Sequence, residues 1–320
     1  MDPSNINVAL ITGANSGIGK EVARQLALAH YRKIYLACRN ETKARSAKKE
    51  LEGLTGKAIF EIILMDVSKP SSVRTAIDSL HDPIDDLVMN AGGGGGKTPL
   101  ALTTDGVTDI FASNVLGHIV LLDALIHTGK LTRAAVFAGS EAARGVPKLG
   151  MKRPKLATSS ADEFASLCDG TYFRDRKPNG TLAYGQVKYV GAMWMAATAR
   201  RNQNLRLLTV SPGNTGGTEI SRDFPLPVQL LMKSILMPVV FPLFGLVHSV
   251  EEAAKRLINA INDERFKSGH FYASKANTLT GPLVDQGELF PNLTNETYQD
   301  NAYEAVHRFI QPPHRLKSPR

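Results

Sequence analysis

Residues 8–19 read Val8-Ala9-Leu10-Ile11-Thr12-Gly13-Ala14-Asn15-Ser16-Gly17-Ile18-Gly19. The run from Val8 to Thr12 predicts a short buried strand, and Gly17 to His30 predicts a helix. A glycine-rich turn that ends a strand and opens a helix is the setting a dinucleotide fingerprint needs. Glycines let the backbone approach a pyrophosphate. The helix N-terminus adds free N–H groups and the positive end of its dipole. Gly13, Asn15, Ser16, Gly17, Ile18 and Gly19 are therefore expected to cradle a dinucleotide.

The rest of the chain repeats the alternation. Strands are predicted at Lys33–Cys38, Ala58–Leu64, Ile84–Met89, Ala134–Ala138, Leu205–Val210 and His270–Ala273. Helices are predicted at Glu41–Glu52, Pro70–Leu80, Thr104–Ile126, Thr181–Arg201 and Val250–Ile261. This spacing implies an α/β fold, one doubly wound parallel sheet of Rossmann type with helices on both faces. Ligands then bind beyond the carboxyl ends of the strands, where strand order reverses. No inter-domain linker stands out, so residues 1–320 read as one domain.

Composition narrows the class. The chain has 320 residues, 43% hydrophobic and 21% charged, which suits an ordinary globular core. Two cysteines, Cys38 and Cys168, argue against a disulfide framework and for a reducing compartment. The N-terminal residues lack the basic and apolar regions of a secretory signal, so a cytoplasmic location is expected. The apolar stretch Phe224–Val247 is interrupted by Pro225, Pro227, Lys233, Pro238 and Pro242. It reads as a substrate cap or a membrane-surface patch rather than a span. The net charge of +8 gathers at 43–49, 144–155 and 315–320. Without a nucleic-acid motif or interleaved aromatics, it reads as a solvated surface that attracts an anionic cofactor, with no nucleic-acid partner.

The end of the second strand selects that cofactor. A site for NAD wants a carboxylate there to take the ribose hydroxyls. This chain has Cys38-Arg39-Asn40. A guanidinium suits a 2′-phosphate, so NADP(H) is expected. Asp66 and Val67, after the third strand, are placed for the adenine. Asn90, Ala91 and Gly92, after the fourth, let the chain pass close to the cofactor, and Asn90 can tie neighbouring strands.

Tyr184-Gly185-Gln186-Val187-Lys188 lies in a helical stretch, and a spacing of four puts Tyr184 and Lys188 on one face. A free phenol has a pKa of about 10, too high for easy proton exchange at neutral pH. A neighbouring ammonium lowers it. Ser140, after the fifth strand, can hold a substrate oxygen as charge develops. Asn114, in a long helix, can hold a water and pass protons towards Lys188. His118 is expected to be structural, and no metal cluster is seen.

With these residues in order, followed by Pro212-Gly213, the chain resembles the short-chain dehydrogenases/reductases over about residues 5 to 275. The resemblance implies that Tyr184 is the acid/base, Lys188 tunes it and holds ribose, Ser140 orients the substrate and Asn114 supports a relay. It also implies direct hydride transfer between nicotinamide and a carbonyl or alcohol carbon. Leu36–Asn40, Asn114–His118, Val250–Leu257 and Ser268–Tyr272 look like the retinol dehydrogenase and protochlorophyllide reductase-like branch, whose members act on large apolar substrates. A small-molecule substrate, an apolar carbonyl compound, is the expected partner.

Three departures qualify this. Residues 141–183 form an insertion between Ser140 and Tyr184. It is expected either to line the cleft or to cover the helix other members use to dimerise, as in monomeric carbonyl reductases, and a monomer is expected. After Pro212-Gly213, both Thr215 and Thr218 compete for the cofactor contact, and Thr215 is the residue expected to make it. Asn214 stands where protochlorophyllide reductases are expected to carry cysteine. A retinoid- or protochlorophyllide-type reductase is the second reading, and a non-catalytic NADP-binding sensor the third. Residues 214–248 are the expected cap and 276–320 an exposed tail.

Overall fold

Strands β1 (Val8–Thr12), β2 (Lys33–Cys38), β3 (Phe60–Leu64), β4 (Ile84–Met89), β5 (Leu131–Ala138), β6 (Arg206–Val210), β7 (Phe271–Ala273) and β8 (Val284–Asp285) join in one sheet, ordered β3-β2-β1-β4-β5-β6-β7-β8. β1 to β7 pair in parallel, and β8 closes the β7 edge antiparallel. The computed structural model describes residues 8–147, 150–174, 180–215 and 247–310.

Strand order reverses between β1 and β4, so the crevice for a ligand opens above their carboxyl ends. Period-two alternation sorts each strand between two cores. Val8 and Leu10 face one side with Tyr35, Leu87 and Phe137. Ala9 and Ile11 face the other with Ile34, Val88 and Val136. Helices α1 (Gly17–Leu28), α2 (Glu41–Thr55) and α7 (Val250–Asn262) cover the second side. Helices α3 (Pro70–Asp78), α4 (Asp109–His127) and α6 (Gly180–Arg201) cover the first. Each fully buried Leu or Ile contributes roughly 1.5–3 kcal/mol of transfer free energy.

The long helix α4 begins at Asp109, not Thr104, because Leu102 bridges Thr108 and the Thr108 hydroxyl caps the Phe111 N–H. It is long and apolar enough to cross a bilayer by length and composition. Yet 72% of its most apolar window lies inside the protein, so core packing accounts for that character.

Within the described part of the insertion, α5 (Ala161–Asp169) carries Phe164, Leu167 and Cys168 into the core. Its start is capped by Ser160, and the Glu163 carboxylate gathers the N–H groups of Ala157, Thr158 and Ser159. The stretch from residue 276 is not a tail over its described part. It supplies β8 and the helix α8 (Glu296–His307), which packs Ala302, Ala305 and Val306 into the same core. The Asn295 cap that starts α8 is the local signal for this helix. The basic residues 315–320 and the cap segment, apart from Asn214, Thr215, Val247 and His248, lie outside the described residues.

Candidate active site

The β1–α1 turn has the geometry the glycines allow. Gly13 adopts a left-handed φ of 69°, and a side chain at Gly19 would meet the Gly13 carbonyl oxygen at 2.5 Å. The Gly13 N–H donates to the Ala37 carbonyl at 2.8 Å. The turn is thus pinned to the end of β2. Ser16 is exposed and its hydroxyl does not cap α1, and no acidic residue sits in the first turn. An anion can therefore take the free N–H groups and the positive dipole end.

Arg39 lies two residues beyond Ala37, exposed. Asn40, expected at the cofactor, spends its side-chain oxygen on the Lys43 N–H at 2.9 Å and caps α2. Asp66 accepts from the Ser68 N–H and hydroxyl through a single oxygen, Oδ1. Val67 packs partly buried beside it. These features fit a dinucleotide: a cradle of N–H groups, an exposed cation at the end of β2 and a carboxylate further along the edge.

Thr12 is the hub of the crevice, a role that its place at the end of β1 does not announce in the sequence. Its hydroxyl oxygen accepts from the N–H groups of Asn90 and Ala91 at 2.9 and 3.0 Å, and lies 3.0 Å from His118 Nε2. The Asn90 amide donates to the Thr12 carbonyl at 3.1 Å and so ties β1 to β4. His118 Nδ1 lies 3.0 Å from the Asn114 carbonyl oxygen. A carbonyl only accepts, so Nδ1 carries the proton and Nε2 accepts from Thr12. Burial, aided by the Lys188 charge, pushes the ring down to about 4. His118 is a neutral link between the end of β1 and the π turn of α4.

Asn114 sits where α4 widens to a π turn, Ala112–Leu116, a distortion that often marks functional sites. Its amide donates to the Gly93 and Ile110 carbonyls, both at 2.8 Å, and its oxygen accepts from the Gly93 N–H at 3.1 Å. The side chain ties the loop after β4 to α4.

The Ser140 hydroxyl lies within reach of the Tyr184 phenol and acts to lower its pKa. Gly185 makes this possible, since a side chain there would meet the Ala142 carbonyl oxygen at 2.7 Å. α6 can thus press on the segment after Ser140. Lys188, 3% exposed, donates to the Ala138 carbonyl at 2.9 Å and lies 5.0 Å from the centre of the Phe137 ring. Burial draws its pKa down to about 7. Tyr184 is pushed up to about 12, by burial first and by the Glu141 charge, against the effect of the Ser140 hydroxyl. Lys188 is not among the groups that shift Tyr184 here: its ammonium faces the Ala138 carbonyl, and burial dominates the phenol.

After β6, the Gly213 N–H donates to the Ser211 hydroxyl at 3.0 Å and shapes the Pro212-Gly213 turn. Thr215 is buried and donates to the Gly213 carbonyl at 3.1 Å, so its hydroxyl serves the turn. Thr218 lies outside the described residues. Both cysteines are buried free thiols, and no metal-binding cluster occurs among the described residues.

Sheet order and the β1–α1 turn define a Rossmann-type fold, and a family model described as short chain dehydrogenase matches residues 7–145. Over that stretch the chain is similar to the short-chain dehydrogenase/reductase family. Its relatives include the chloroplastic short-chain dehydrogenase TIC 32 B of Brassica napus, 29% identical over 64% of this chain and 62% of that protein. They also include retinol dehydrogenase 12 of Bos taurus, 36% identical over 40% of each. The chain thus spans less than two thirds of either relative's length. Its fold matches that of L-sorbose reductase from Gluconobacter frateurii, solved with NADPH and L-sorbose. The TM-score is 0.58 at 20% identity, covering 88% of this chain and all of that one.

Proposed function

We propose that the protein is an NADP(H)-dependent oxidoreductase that reduces the carbonyl, or oxidises the alcohol, of a lipophilic substrate. The observation that carries this reading is the grouping of Ser140, Tyr184 and Lys188 at the end of β5, where Lys188 donates to the Ala138 carbonyl at 2.9 Å and its Nζ lies 5.7 Å from the centre of the Tyr184 ring. Gly13, Gly17, Gly19 and the N–H groups of α1 would hold the pyrophosphate, Arg39 the 2′-phosphate, Asp66 the adenine, and Asn90 to Gly92 the ring end. The nicotinamide, when bound, supplies or accepts the hydride.

The chain's own residues handle the proton. Tyr184 at about 12 is protonated at neutral pH, so it is set to donate to a carbonyl oxygen during reduction. Ser140 accepts the Ala142 N–H at 3.2 Å, which fixes its hydroxyl for a second bond to the same oxygen. Lys188 supplies positive charge near the ribose. An apolar substrate accords with the apolar stretch 224–247 and with retinol dehydrogenases among the relatives. A retinoid-type substrate is favoured by that likeness, and the light-driven variant is disfavoured by Asn214.

A monomer accords with the layer outside α6. Arg200 and Arg201 pair with Asp300 of α8, and Arg308 pairs with Asp162 of α5. Action in the cytoplasm, with the 224–247 stretch touching a membrane surface, completes the reading.

The test is a fluorescence titration with NADPH and NADH, then a panel of apolar and polar carbonyls at saturating cofactor. Tight NADPH binding with turnover of one apolar class is expected. Equal binding of NADH would overturn the cofactor assignment, and preference for polar carbonyls would overturn the substrate class. Binding without turnover would favour a sensor.

A further inference from the structure

A buried carboxylate that the chemistry above leaves unused directly follows Ser140. Glu141 is 2% exposed. Its Oε2 accepts from the Ser211 hydroxyl at 2.5 Å and its Oε1 from the Ser274 N–H at 3.1 Å. Arg256 Nη2, from α7, lies 3.9 Å from the same Oε1. One side chain therefore reaches the segments that follow β5, β6 and β7, together with α7.

The contacts continue outward. The Ser211 hydroxyl that donates to Glu141 also accepts the Gly213 N–H. Arg256 donates to the Ser274 hydroxyl at 3.1 Å, and its Nη1 lies 2.8 Å from His248 Nε2. The His248 N–H donates to the Asn214 carbonyl at 2.6 Å. The Pro212–Thr215 turn is thus held on both sides by groups that converge on Glu141. A buried carboxylate is costly unless well paired, and an apolar residue would pack here at less cost.

We propose that Glu141 is a positioning residue for the reaction: its carboxylate holds Ser140 and the Pro212–Gly213 turn in fixed register, and through them Tyr184 and the cofactor. This rests on the function proposed above. The titratable and charged groups around the carboxylate are Arg144 on its own segment, Tyr184 of α6, Arg256 of α7, and His248 just before α7. Its charge also opposes ionisation of Tyr184.

Three full-length variants test it: Glu141→Ala, Glu141→Gln and Ser211→Ala. Hydrogen exchange without cofactor reads the tie itself. Glu141→Ala and Ser211→Ala are expected to speed exchange in peptides covering 207–215, and the isosteric Glu141→Gln to restore protection. Steady-state kinetics read the consequence. Glu141→Ala is expected to lower kcat about tenfold and raise the KM for NADPH, as for loss of one charge-assisted hydrogen bond. Glu141→Gln keeps the shape and removes the charge, so the alkaline limb of kcat/KM shifts about one pH unit lower. Wild-type exchange, kcat and pH profile in all three variants would overturn the proposal. So would a loss of thermal stability with kcat and KM unchanged. If Glu141→Ala does not fold, Ser211→Ala decides. If the wild type binds neither cofactor, the proposed function falls, and exchange alone decides whether Glu141 ties the two segments.

Discussion

Lys188 donates its ammonium to the Ala138 carbonyl at 2.9 Å, with Nζ 5.7 Å from the centre of the Tyr184 ring. The lysine is thus anchored to the end of β5 and held out of water, which makes its charge costly. Its folded pKa of about 7 lies below the ordinary 10.5, so the unfolded chain binds more protons between those values. Stability contributed at this site therefore rises with pH from about 7 to 10.5 and is lowest below 7. Lys188→Met is expected to raise stability by roughly 2–4 kcal/mol below pH 7 while abolishing turnover, with the gain fading towards pH 10.5. Urea unfolding at pH 6, 8 and 10 measures this. A variant less stable than wild type at pH 6 contradicts the desolvation argument.

Tyr184→Phe removes the transferable proton and little else, since the ring packs partly buried against the core. A fall in kcat of about 10²–10⁴-fold is expected, the range for removal of a general acid. NADPH affinity should stay within about threefold, because the phenol hydroxyl supplies well under 1 kcal/mol of cofactor binding. Stopped-flow turnover and a fluorescence titration on one preparation separate the two effects. Retained kcat would remove Tyr184 from the reaction.

Arg39 is exposed at the end of β2, and its proposed role is confined to the 2′-phosphate. Arg39→Ala is expected to weaken NADPH by about 10- to 100-fold, the loss of one or two charge-assisted hydrogen bonds, and to leave NADH nearly unchanged. Paired titrations at fixed ionic strength check this, since salt screens an exposed cation. An equal loss for both cofactors would mean that Arg39 meets a group they share.

His118 joins Thr12 to Asn114 as a neutral ring, so acid should weaken the protein here. Its folded pKa of about 4 lies below the ordinary 6.5, and stability falls as pH drops from 6.5 to 4. His118→Ala is expected to cost about 2–4 kcal/mol at pH 7, from the cavity and from leaving the Thr12 hydroxyl and Asn114 carbonyl without their ring partner. It should also flatten the acid dependence in that window. Chemical unfolding at pH 7 and pH 5 on both proteins decides, and parallel pH slopes would refute the neutral-ring reading.

Short-range patterns make much of this molecule legible. The runs at Val8–Thr12, Lys33–Cys38 and Ile84–Met89 are apolar because both faces of a parallel strand are buried, so their identity survives without any tertiary knowledge. The turn at Gly13 is readable because only a residue without Cβ tolerates that backbone and so close an approach. The spacing of Tyr184 and Lys188 places them on one helical face whatever the fold around them.

What stays hidden depends on partners distant in sequence. Nothing near Thr12 says that its hydroxyl meets His118 across 106 residues, or that Glu141 meets Ser211 and Ser274. α8 reads as tail because its apolar stripe is narrow and acquires meaning only against α6 and α5. The pKa shifts of Tyr184 and Lys188 are hidden for the same reason. Sequence shows two groups within reach of each other, whereas desolvation depends on everything packed around them. By itself the sequence determined the strand and helix pattern, the dinucleotide turn and the residue types of the site. Only the tertiary structure decided which buried polar groups face each other, because hydrogen-bond geometry and loss of water are properties of the assembled fold.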